Sequence, residues 1–488
     1  MKIVWAFVWG TFMLLAQEHN AVADCNTFVK SIKLMSKATE VNYKNITNLQ
    51  QIIENEKDIQ KVASAKKALE EMNEKTKTRA SNRQYPQMYT ELKKGYESNC
   101  GTFTAENNVT LTGMIERSIT FNNILSKRLG DPLSLSKVRT TLEIQHAIEK
   151  AVTMYSQEMN NTAVQLLVRK EEKTYKASAG LADRGDGRVV KNDDLFEIGS
   201  ATKVFTGIAI FQLIESGKLS LKTKLNTFYK AGEITKLANY KGKNYWNDIT
   251  VEMLLGHTSG FIDYLNVYND DAKALKILGG KEKHFSFDQL IHQAVAFGDA
   301  NFKPGERHDY CNTGFIILGD IISKVSGLDW HDYIQKHILN KVGMPHTYFG
   351  SRIPQELREK MPKGYMAYKE VFMPPSLADS AGEIISTLDD LAALMKVWAE
   401  GKLYAKSETL KLQLNQGFHQ HYKNIRTIFY GYAIMKIEGF YGHGGQTFGF
   451  QSYMAINPKN SDLYIIGVND STVGAMNFFT ALEGIKIE

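Results

Sequence analysis

The chain has 488 residues, of which 43% are hydrophobic and 23% are charged, as in ordinary globular proteins. Its 37 glycines and 9 prolines follow no repeat, which excludes collagen-like, repeat-array and wholly disordered classes. The formal net charge is +6, and no basic run is interleaved with aromatic residues, so we expect no nucleic-acid partner.

Residues 1–23 have the pattern of a secretory signal peptide. Lys2 supplies a positive charge, residues 3–16 form an apolar run, and Ala23 ends a small-x-small cleavage pattern. We therefore expect export to the periplasm or the cell exterior, with cleavage near Ala23 and a mature start at Asp24. An uncleaved membrane anchor is the alternative. No later run is apolar over about 18 residues, so we expect no membrane span in the mature chain.

The composition of residues 24–135 predicts a helical N-terminal extension. This stretch is rich in Lys, Glu, Asn and Gln, and residues 52–77 and 114–129 have the composition of exposed helices. It is either a contact for the cell wall or a partner protein, or a solvated spacer. Cys25 and Cys100 both lie here, and we expect either a disulfide between them or two free thiols.

A change in composition near residue 136 begins a second domain, residues 136–488. Hydrophobic periodicity predicts an amphipathic helix over residues 138–155 and paired strands over residues 164–169 and 174–181. A mostly helical middle follows, from residue 200 to about residue 415.

Strands return near the C-terminal end of the sequence. Residues 430–438 predict one strand, residues 448–456 and 463–468 predict a pair joined by a turn, and residues 474–487 predict a closing helix. Strands at both ends of the domain, with helices between them, predict an α/β (α+β) fold. Its antiparallel sheet would be assembled from distant segments and flanked by helices.

Ser200 and Lys203 are the first candidate catalytic pair. The sequence after Ser200 is apolar on nearly every side as far as residue 214, which predicts a buried helix, and Gly199 permits the turn into it. Residues three apart share one side of a helical turn. A desolvated lysine can lose its proton and accept that of a serine hydroxyl, which makes the serine a nucleophile. The alternative is a capping serine followed by an ordinary lysine.

Tyr310 and Asn312 form the second candidate group, before an apolar helix over residues 315–325. In an extended segment, residues two apart face the same side. A phenol beside an ammonium group can relay protons, and an asparagine can hold the lysine or a substrate amide. A buried tyrosine with a satisfied hydroxyl is the alternative. Cys311, between the two, is expected to be a buried packing residue rather than a rival nucleophile.

His443, Gly445 and Gln446 form the third candidate group, on or beside a strand near the C-terminal end. Glycines beside a histidine permit the close approach of a substrate backbone. The backbone N–H of Gln446 could join that of Ser200 in an oxyanion hole for a tetrahedral intermediate. The alternative is a glycine-rich turn with an incidental histidine.

In chain order, the three groups resemble the motifs of penicillin-recognising serine enzymes: Ser-x-x-Lys, Tyr-x-Asn and a basic residue-x-Gly. Residues 136–488 are similar to the serine β-lactamase-related family, which includes class C β-lactamases, penicillin-binding proteins and D,D-peptidases. The resemblance implies a β-lactamase/transpeptidase-like fold, with a central antiparallel sheet flanked by helices and an all-helical domain. It implies no cofactor and no metal, and it does not cover residues 24–135.

The resemblance also implies a role for each residue of the first two motifs. Ser200 is acylated, Lys203 and Tyr310 move the protons, and Asn312 positions the substrate and the lysine. Which of Lys203 and Tyr310 is the base stays open at this point. No other nucleophile motif, such as Gly-x-Ser-x-Gly, is present.

The third motif departs from the Lys-Thr-Gly of classical class C β-lactamases. By the resemblance, His443 assists catalysis, and Gly445 and Gln446 line the substrate and oxyanion positions. A neutral histidine holds a substrate carboxylate less firmly than lysine does. We therefore expect a serine hydrolase acting on a small peptide, β-lactam or ester, as a D,D-peptidase-type peptidase or esterase with at most weak β-lactamase activity. A non-catalytic binding or scaffolding protein that keeps the fold is the alternative.

Overall fold

A computed structural model of the chain describes residues 141–265, 284–366, 369–415, 417, 419–422 and 428–475. All of them lie within one unit of the chain, Val138–Glu488. The predicted signal peptide, the extension over residues 24–135 with Cys25 and Cys100, and nearly all of the closing helix lie outside the described residues. Among the described helices, none is both long and apolar enough to cross a bilayer.

The structure contains fifteen described strands, which belong to one large and three small sheets. In chain order they are β1 (Val164–Lys170), β2 (Lys173–Ala179), β3 (Phe196–Glu197), β4 (Asn239–Tyr240), β5 (Lys243–Asn244), β6 (Tyr348–Phe349), β7 (Tyr365–Met366), β8 (Lys369–Glu370), β9 (Ile384–Ser386), β10 (His419–Tyr422), β11 (Ile428–Tyr430), β12 (Met435–Ile437), β13 (Phe440–Gln446), β14 (Gln451–Ile456) and β15 (Leu463–Val468).

Eight antiparallel strands form the central sheet, in the spatial order β10-β11-β12-β13-β14-β15-β1-β2. Val164 of β1 lies opposite Val468 of β15, so segments from the two ends of the domain pair as the sixth and seventh strands of the sheet. Every residue of β15 is buried, because helices cover the sheet around it. The predicted antiparallel sheet built from distant segments is confirmed.

Helices fill most of the middle of the domain, as expected. The described α-helices are α1 (Thr141–Glu158), α2 (Thr202–Glu215), α3 (Val251–Leu255), α4 (Phe287–Phe297), α5 (Asn312–Ser326), α6 (Trp330–Ile334), α7 (Asn340–Val342), α8 (Gln355–Lys360), α9 (Pro375–Ala378), α10 (Leu388–Ala399) and α11 (Ser407–Asn415).

The core joins the helices to the sheet. α1 packs on β1 and β2, α10 packs on β1, β14 and β15, and α5 packs on α2. On α2, Val204, Ile208 and Phe211 are fully buried, which confirms the helix buried on nearly every side. The large apolar core therefore surrounds the helix that follows Ser200 and holds it rigidly.

The expected strand over residues 430–438 is wrong in one respect, because it is two strands, β11 and β12. Between them Ala433 takes a φ of 60°, and the Gly431 N–H donates to the Ile434 carbonyl oxygen at 2.8 Å. The turn is apolar and buried, since Ala433 also donates its N–H to the Leu255 carbonyl oxygen at 3.1 Å. A buried apolar turn has no polar residues to mark it in the sequence.

Candidate active site

Ser200 lies in a short 3-10 turn, Gly199–Ala201, between β3 and α2. Gly199 has a φ of 53°, in the region that favours glycine. A Cβ at Gly199 would lie 2.5 Å from the backbone nitrogen of Gln446. The turn that contains Ser200 and the end of strand β13 are therefore in close backbone contact.

Two residues of β13 and β14 hold this approach. A Cβ at Gly445 would lie 1.8 Å from the carbonyl oxygen of Ile198, so only glycine fits there without displacing the chain. Ser452 donates its hydroxyl to the same carbonyl oxygen at 2.7 Å. The residues next to Ser200 are thus held against strands β13 and β14 of the central sheet.

The backbone N–H of Gln446, the last residue of β13, points toward the turn that contains Ser200. Thr447 donates its N–H to the Phe450 carbonyl oxygen at 3.0 Å, which makes these two residues a hydrogen-bonded pair. Hydrogen-bonded and non-hydrogen-bonded pairs alternate in an antiparallel ladder, so the next pair, Gln446 and Gln451, is non-hydrogen-bonded. The Gln446 N–H is therefore directed away from β14 and suits the predicted oxyanion hole with Ser200.

Lys203 is fully buried and contacts three oxygens. Its Nζ lies 3.0 Å from Ser200 Oγ, 2.7 Å from Asn312 Oδ1 and 2.8 Å from the Ala381 carbonyl oxygen. Burial lowers the pKa of Lys203 to about 7, against the opposing effect of the Asp263 charge. A neutral amine has two N–H donors and one lone pair. It can therefore donate to Asn312 and Ala381 while it accepts the proton of Ser200.

Asp263 orients Asn312, the first residue of α5. Asp263 Oδ2 accepts from the backbone nitrogen of Asn312 at 2.9 Å and from its Nδ2 at 2.8 Å, while Asp263 Oδ1 accepts from the Leu265 nitrogen at 2.9 Å. The amide oxygen of Asn312 is left to face Lys203. Sequence reasoning missed Asp263, because it lies in a loop and no spacing connects it to Asn312.

Tyr310 packs over Lys203, with its ring centroid 5.0 Å from Lys203 Nζ. His257 supports the Tyr310 loop. Its ring lies 4.2 Å from that of Tyr310, its Nδ1 accepts from the Cys311 nitrogen at 3.1 Å, and its carbonyl oxygen accepts from the Asp309 nitrogen at 2.9 Å. The turn at His257 therefore supports the second motif.

His443, which the resemblance assigns to assisting catalysis, has a fully buried side chain. Its Nδ1 contacts the Gly444 carbonyl oxygen, which can only accept, so Nδ1 carries the proton. Its Nε2 lies 2.9 Å from the Tyr430 hydroxyl. Burial raises the pKa of Tyr430 far above its usual value, so this phenol remains the donor. Sequence reasoning also missed Tyr430, which it placed in an unbroken strand.

Cys311 is a buried free thiol beside the second motif. Burial raises its pKa to about 12, so the thiol stays protonated near neutral pH and is unsuited to nucleophilic attack. This agrees with its predicted role in packing. Among the described residues, no group of His, Cys, Asp and Glu side chains is arranged to hold a metal ion.

The comparisons with known proteins match the same part of the chain. A family model described as Beta-lactamase matches residues 148–480. Penicillin-binding protein 4 of Amycolatopsis lactamdurans is 23% identical over 331 residues, which cover 63% of this chain and 80% of that protein. Protein flp of Staphylococcus aureus (strain MW2) is 31% identical over 154 residues, which cover 32% of this chain and 28% of the relative.

A solved structure shares the fold. The D-stereospecific amidohydrolase from Streptomyces sp. superimposes with a TM-score of 0.60 at 24% identity, over 70% of this chain and 98% of that chain. The chain spans less than a third of the flp relative that it matches. The family match, by contrast, covers more than half of this chain and all three motifs. The chain therefore belongs to the Beta-lactamase family, with the β-lactamase/transpeptidase-like fold of its serine hydrolases.

Proposed function

We propose that the chain is a serine hydrolase that acts through an acyl-enzyme on Ser200, as a peptidase, amidase or esterase with at most weak β-lactamase activity. The observation that carries the proposal is the contact between Lys203 Nζ and Ser200 Oγ at 3.0 Å, in a fully buried lysine whose pKa is lowered to about 7. A base with a pKa near the working pH transfers protons efficiently in both directions. Near neutral pH, Lys203 therefore has both of its protonation states available.

In the acylation step, Ser200 Oγ attacks the carbonyl carbon of the substrate and passes its proton to Lys203 Nζ. The backbone N–H groups of Ser200 and Gln446 stabilise the oxyanion that forms. The tetrahedral intermediate then collapses, the bond to the leaving group breaks, and the proton reaches that group from Lys203 by way of Tyr310. Water repeats the attack on the acyl-Ser200 ester and releases the acid, which restores the enzyme.

Asn312 and Asp263 preserve the geometry of this step. Asp263 holds the side-chain nitrogen of Asn312 at 2.8 Å, so the amide oxygen stays directed at Lys203 at 2.7 Å. Lys203 thereby keeps its position beside Ser200 in either protonation state. The names of the relatives, a penicillin-binding protein and a D-stereospecific amidohydrolase, support a peptide or amide substrate.

The test is intact-mass analysis after exposure to a penicillin, a D-Ala-D-Ala peptide and a short-chain ester. We expect one acyl group on the wild-type chain and none on Ser200→Ala. Ser259→Ala is the matched control, since Ser259 is a second buried serine whose Oγ accepts from the Phe261 nitrogen at 3.3 Å. That variant should still be acylated. Persistent stoichiometric labelling of Ser200→Ala would refute the assignment.

The same experiment tests the non-catalytic alternative. If none of the probes, a fluorophosphonate included, forms an adduct with the wild-type chain, the fold serves binding or scaffolding instead. We also propose that the chain is exported. Recovery of a mature form that starts at Asp24 outside the cytoplasm would support this, and a full-length intracellular form would contradict it.

A further inference from the structure

Both ring nitrogens of His443, the imidazole of the third motif, are hydrogen-bonded within the protein. His443 is fully buried, its Nδ1–H donates to the Gly444 carbonyl oxygen, and its Nε2 accepts from the Tyr430 hydroxyl at 2.9 Å. A second proton on Nε2 would require the phenol to turn its own hydrogen away, and full burial disfavours the charged imidazolium. The Tyr430 contact therefore keeps the ring neutral and directed into the protein.

The N–H donors of Lys203 are also directed to the protein. Its three hydrogen bonds go to the protein oxygens of Ser200, Asn312 and Ala381. An ammonium group has three N–H donors, so even protonated Lys203 has none left over.

Two buried carboxyl groups flank the site. Asp263 lies behind Asn312, and Glu197 lies beside Thr447 next to the oxyanion position. Burial raises the pKa of each, and at Glu197 the hydrogen bond of Thr447 and the charge of Arg358 oppose that effect.

Arg358 is itself engaged by the protein, since it interacts with the charges of Glu197 and Glu383 and donates to the Gly350 carbonyl oxygen. The two described cations beside these groups, Lys203 and Arg358, are therefore both directed to protein oxygens.

We propose that the cleft selects acyl donors whose leaving group lacks a free carboxylate, namely amides, esters and internal peptide bonds, and that Tyr430 determines this specificity. The inference rests on the proposed acyl transfer through Ser200. Burying a carboxylate without a partner is costly, so a charged leaving group weakens binding in the transition state. Tyr430 acts as a positioning residue, because it touches His443 and not the reacting atoms.

The experiment compares two acetate esters, those of 4-hydroxybenzamide and of 4-hydroxybenzoate, which transfer the same acetyl group. Each kcat/KM is divided by the rate of hydroxide-catalysed hydrolysis of the same ester, which removes the difference in leaving-group reactivity. We expect the neutral ester to be favoured at least about tenfold. An equal or higher value for the carboxylate ester overturns the proposal. 4-Nitrophenyl acetate tests acyl transfer alone, so its failure to acylate Ser200 contradicts the proposed function instead.

Tyr430→Phe tests the specificity role. Without the phenol, the imidazole of His443 loses the hydrogen bond that holds Nε2 inside the protein and can turn toward the cleft, where solvent allows a second proton to bind. We therefore expect the preference for the neutral ester at about pH 6 to fall at least threefold. A purely structural defect would lower the rates of both esters alike and leave their ratio unchanged. Tyr432→Phe is the matched control, since it removes a buried tyrosine hydroxyl that donates to Glu252 Oε1 at 2.6 Å. That control should keep the wild-type ratio, and an unchanged ratio in folded Tyr430→Phe overturns the role of Tyr430.

A measurement on the wild-type chain covers the case in which Tyr430→Phe does not fold. Histidine ¹⁵N NMR, with the His443 signals assigned through His443→Gln, reports which ring nitrogens are protonated. We expect neutral His443 with the proton on Nδ1. A doubly protonated ring, or a proton on Nε2 alone, overturns the proposal.

Discussion

Asp263 Oδ2 accepts hydrogen bonds from both the backbone nitrogen and the side-chain nitrogen of Asn312, at 2.9 and 2.8 Å. Asn312 Oδ1 in turn lies 2.7 Å from Lys203 Nζ. One buried carboxylate therefore orients the amide and also acts electrostatically on Lys203.

Asp263→Asn should lower kcat/KM about ten- to a hundredfold, since loss of a buried charged hydrogen-bond partner costs about 1–3 kcal/mol. It should also shift the pH profile. The charge of Asp263 raises the pKa of Lys203, so its removal lowers that pKa and moves the acid limb to lower pH. Asp309→Asn removes the same charge at an exposed position and should change neither quantity. An acid limb that moves upward in Asp263→Asn would argue against this coupling.

The dependence of wild-type kcat/KM on pH should reflect the ionisation of Lys203. Because Lys203 must be neutral to accept the Ser200 proton, and burial lowers its pKa to about 7, kcat/KM should rise with pH up to about 7 and then level off. Lys203→Met should reduce it by about 10²- to 10⁴-fold. His443→Gln serves as the control and should keep the rise of kcat/KM with pH below about 7. Loss of the limb in His443→Gln would assign the titration to the imidazole and contradict Lys203 as the base.

Gly199→Ala should damage the oxyanion position. The new Cβ would lie 2.5 Å from the Gln446 nitrogen and displace it, and loss of one such donor costs about 10²- to 10³-fold in kcat. Gly187→Ala is the control for backbone strain without a steric clash. Gly187 also has a positive φ, 78°, but nothing lies within 4 Å of its Cβ position. Gly187→Ala should lower stability by about 1 kcal/mol and keep full activity. Comparable kcat values for the two variants would count against the close approach.

His331 should make stability depend on pH. Its ring nitrogens contact Asp329 Oδ1 at 2.6 Å and Glu383 Oε1 at 2.5 Å. Burial disfavours the imidazolium, but the two carboxylates outweigh burial and raise the pKa of His331. The stabilisation is thus fully present below the unfolded pKa of about 6.5 and is lost as pH rises through the folded pKa.

Urea unfolding of the wild type and His331→Gln should therefore show a larger difference in unfolding free energy at pH 6 than at pH 9. His292→Gln, whose side chain is 67% exposed, should change the unfolding free energy only slightly at either pH value. A difference for His331→Gln that grows toward pH 9 would contradict the raised pKa.

Local signals in the sequence were sufficient for several features. The strand pairs β1–β2 and β14–β15 were predicted because short runs rich in apolar residues are joined by polar turns. The pairing of Ser200 with Lys203 followed from helical spacing alone. The break between β11 and β12 was missed, because that turn is apolar and buried.

The sequence by itself determined the residues of the three motifs and the class of fold, since spacing along a helix or strand decides which neighbouring side chains share a face. The tertiary structure alone decided which distant groups act on them. Asp263 reaches Asn312 across 49 positions of the chain, and Tyr430 turns His443 inward. Such contacts depend on where folded segments pack, and burial there lowers the pKa of Lys203. No local pattern carries that information.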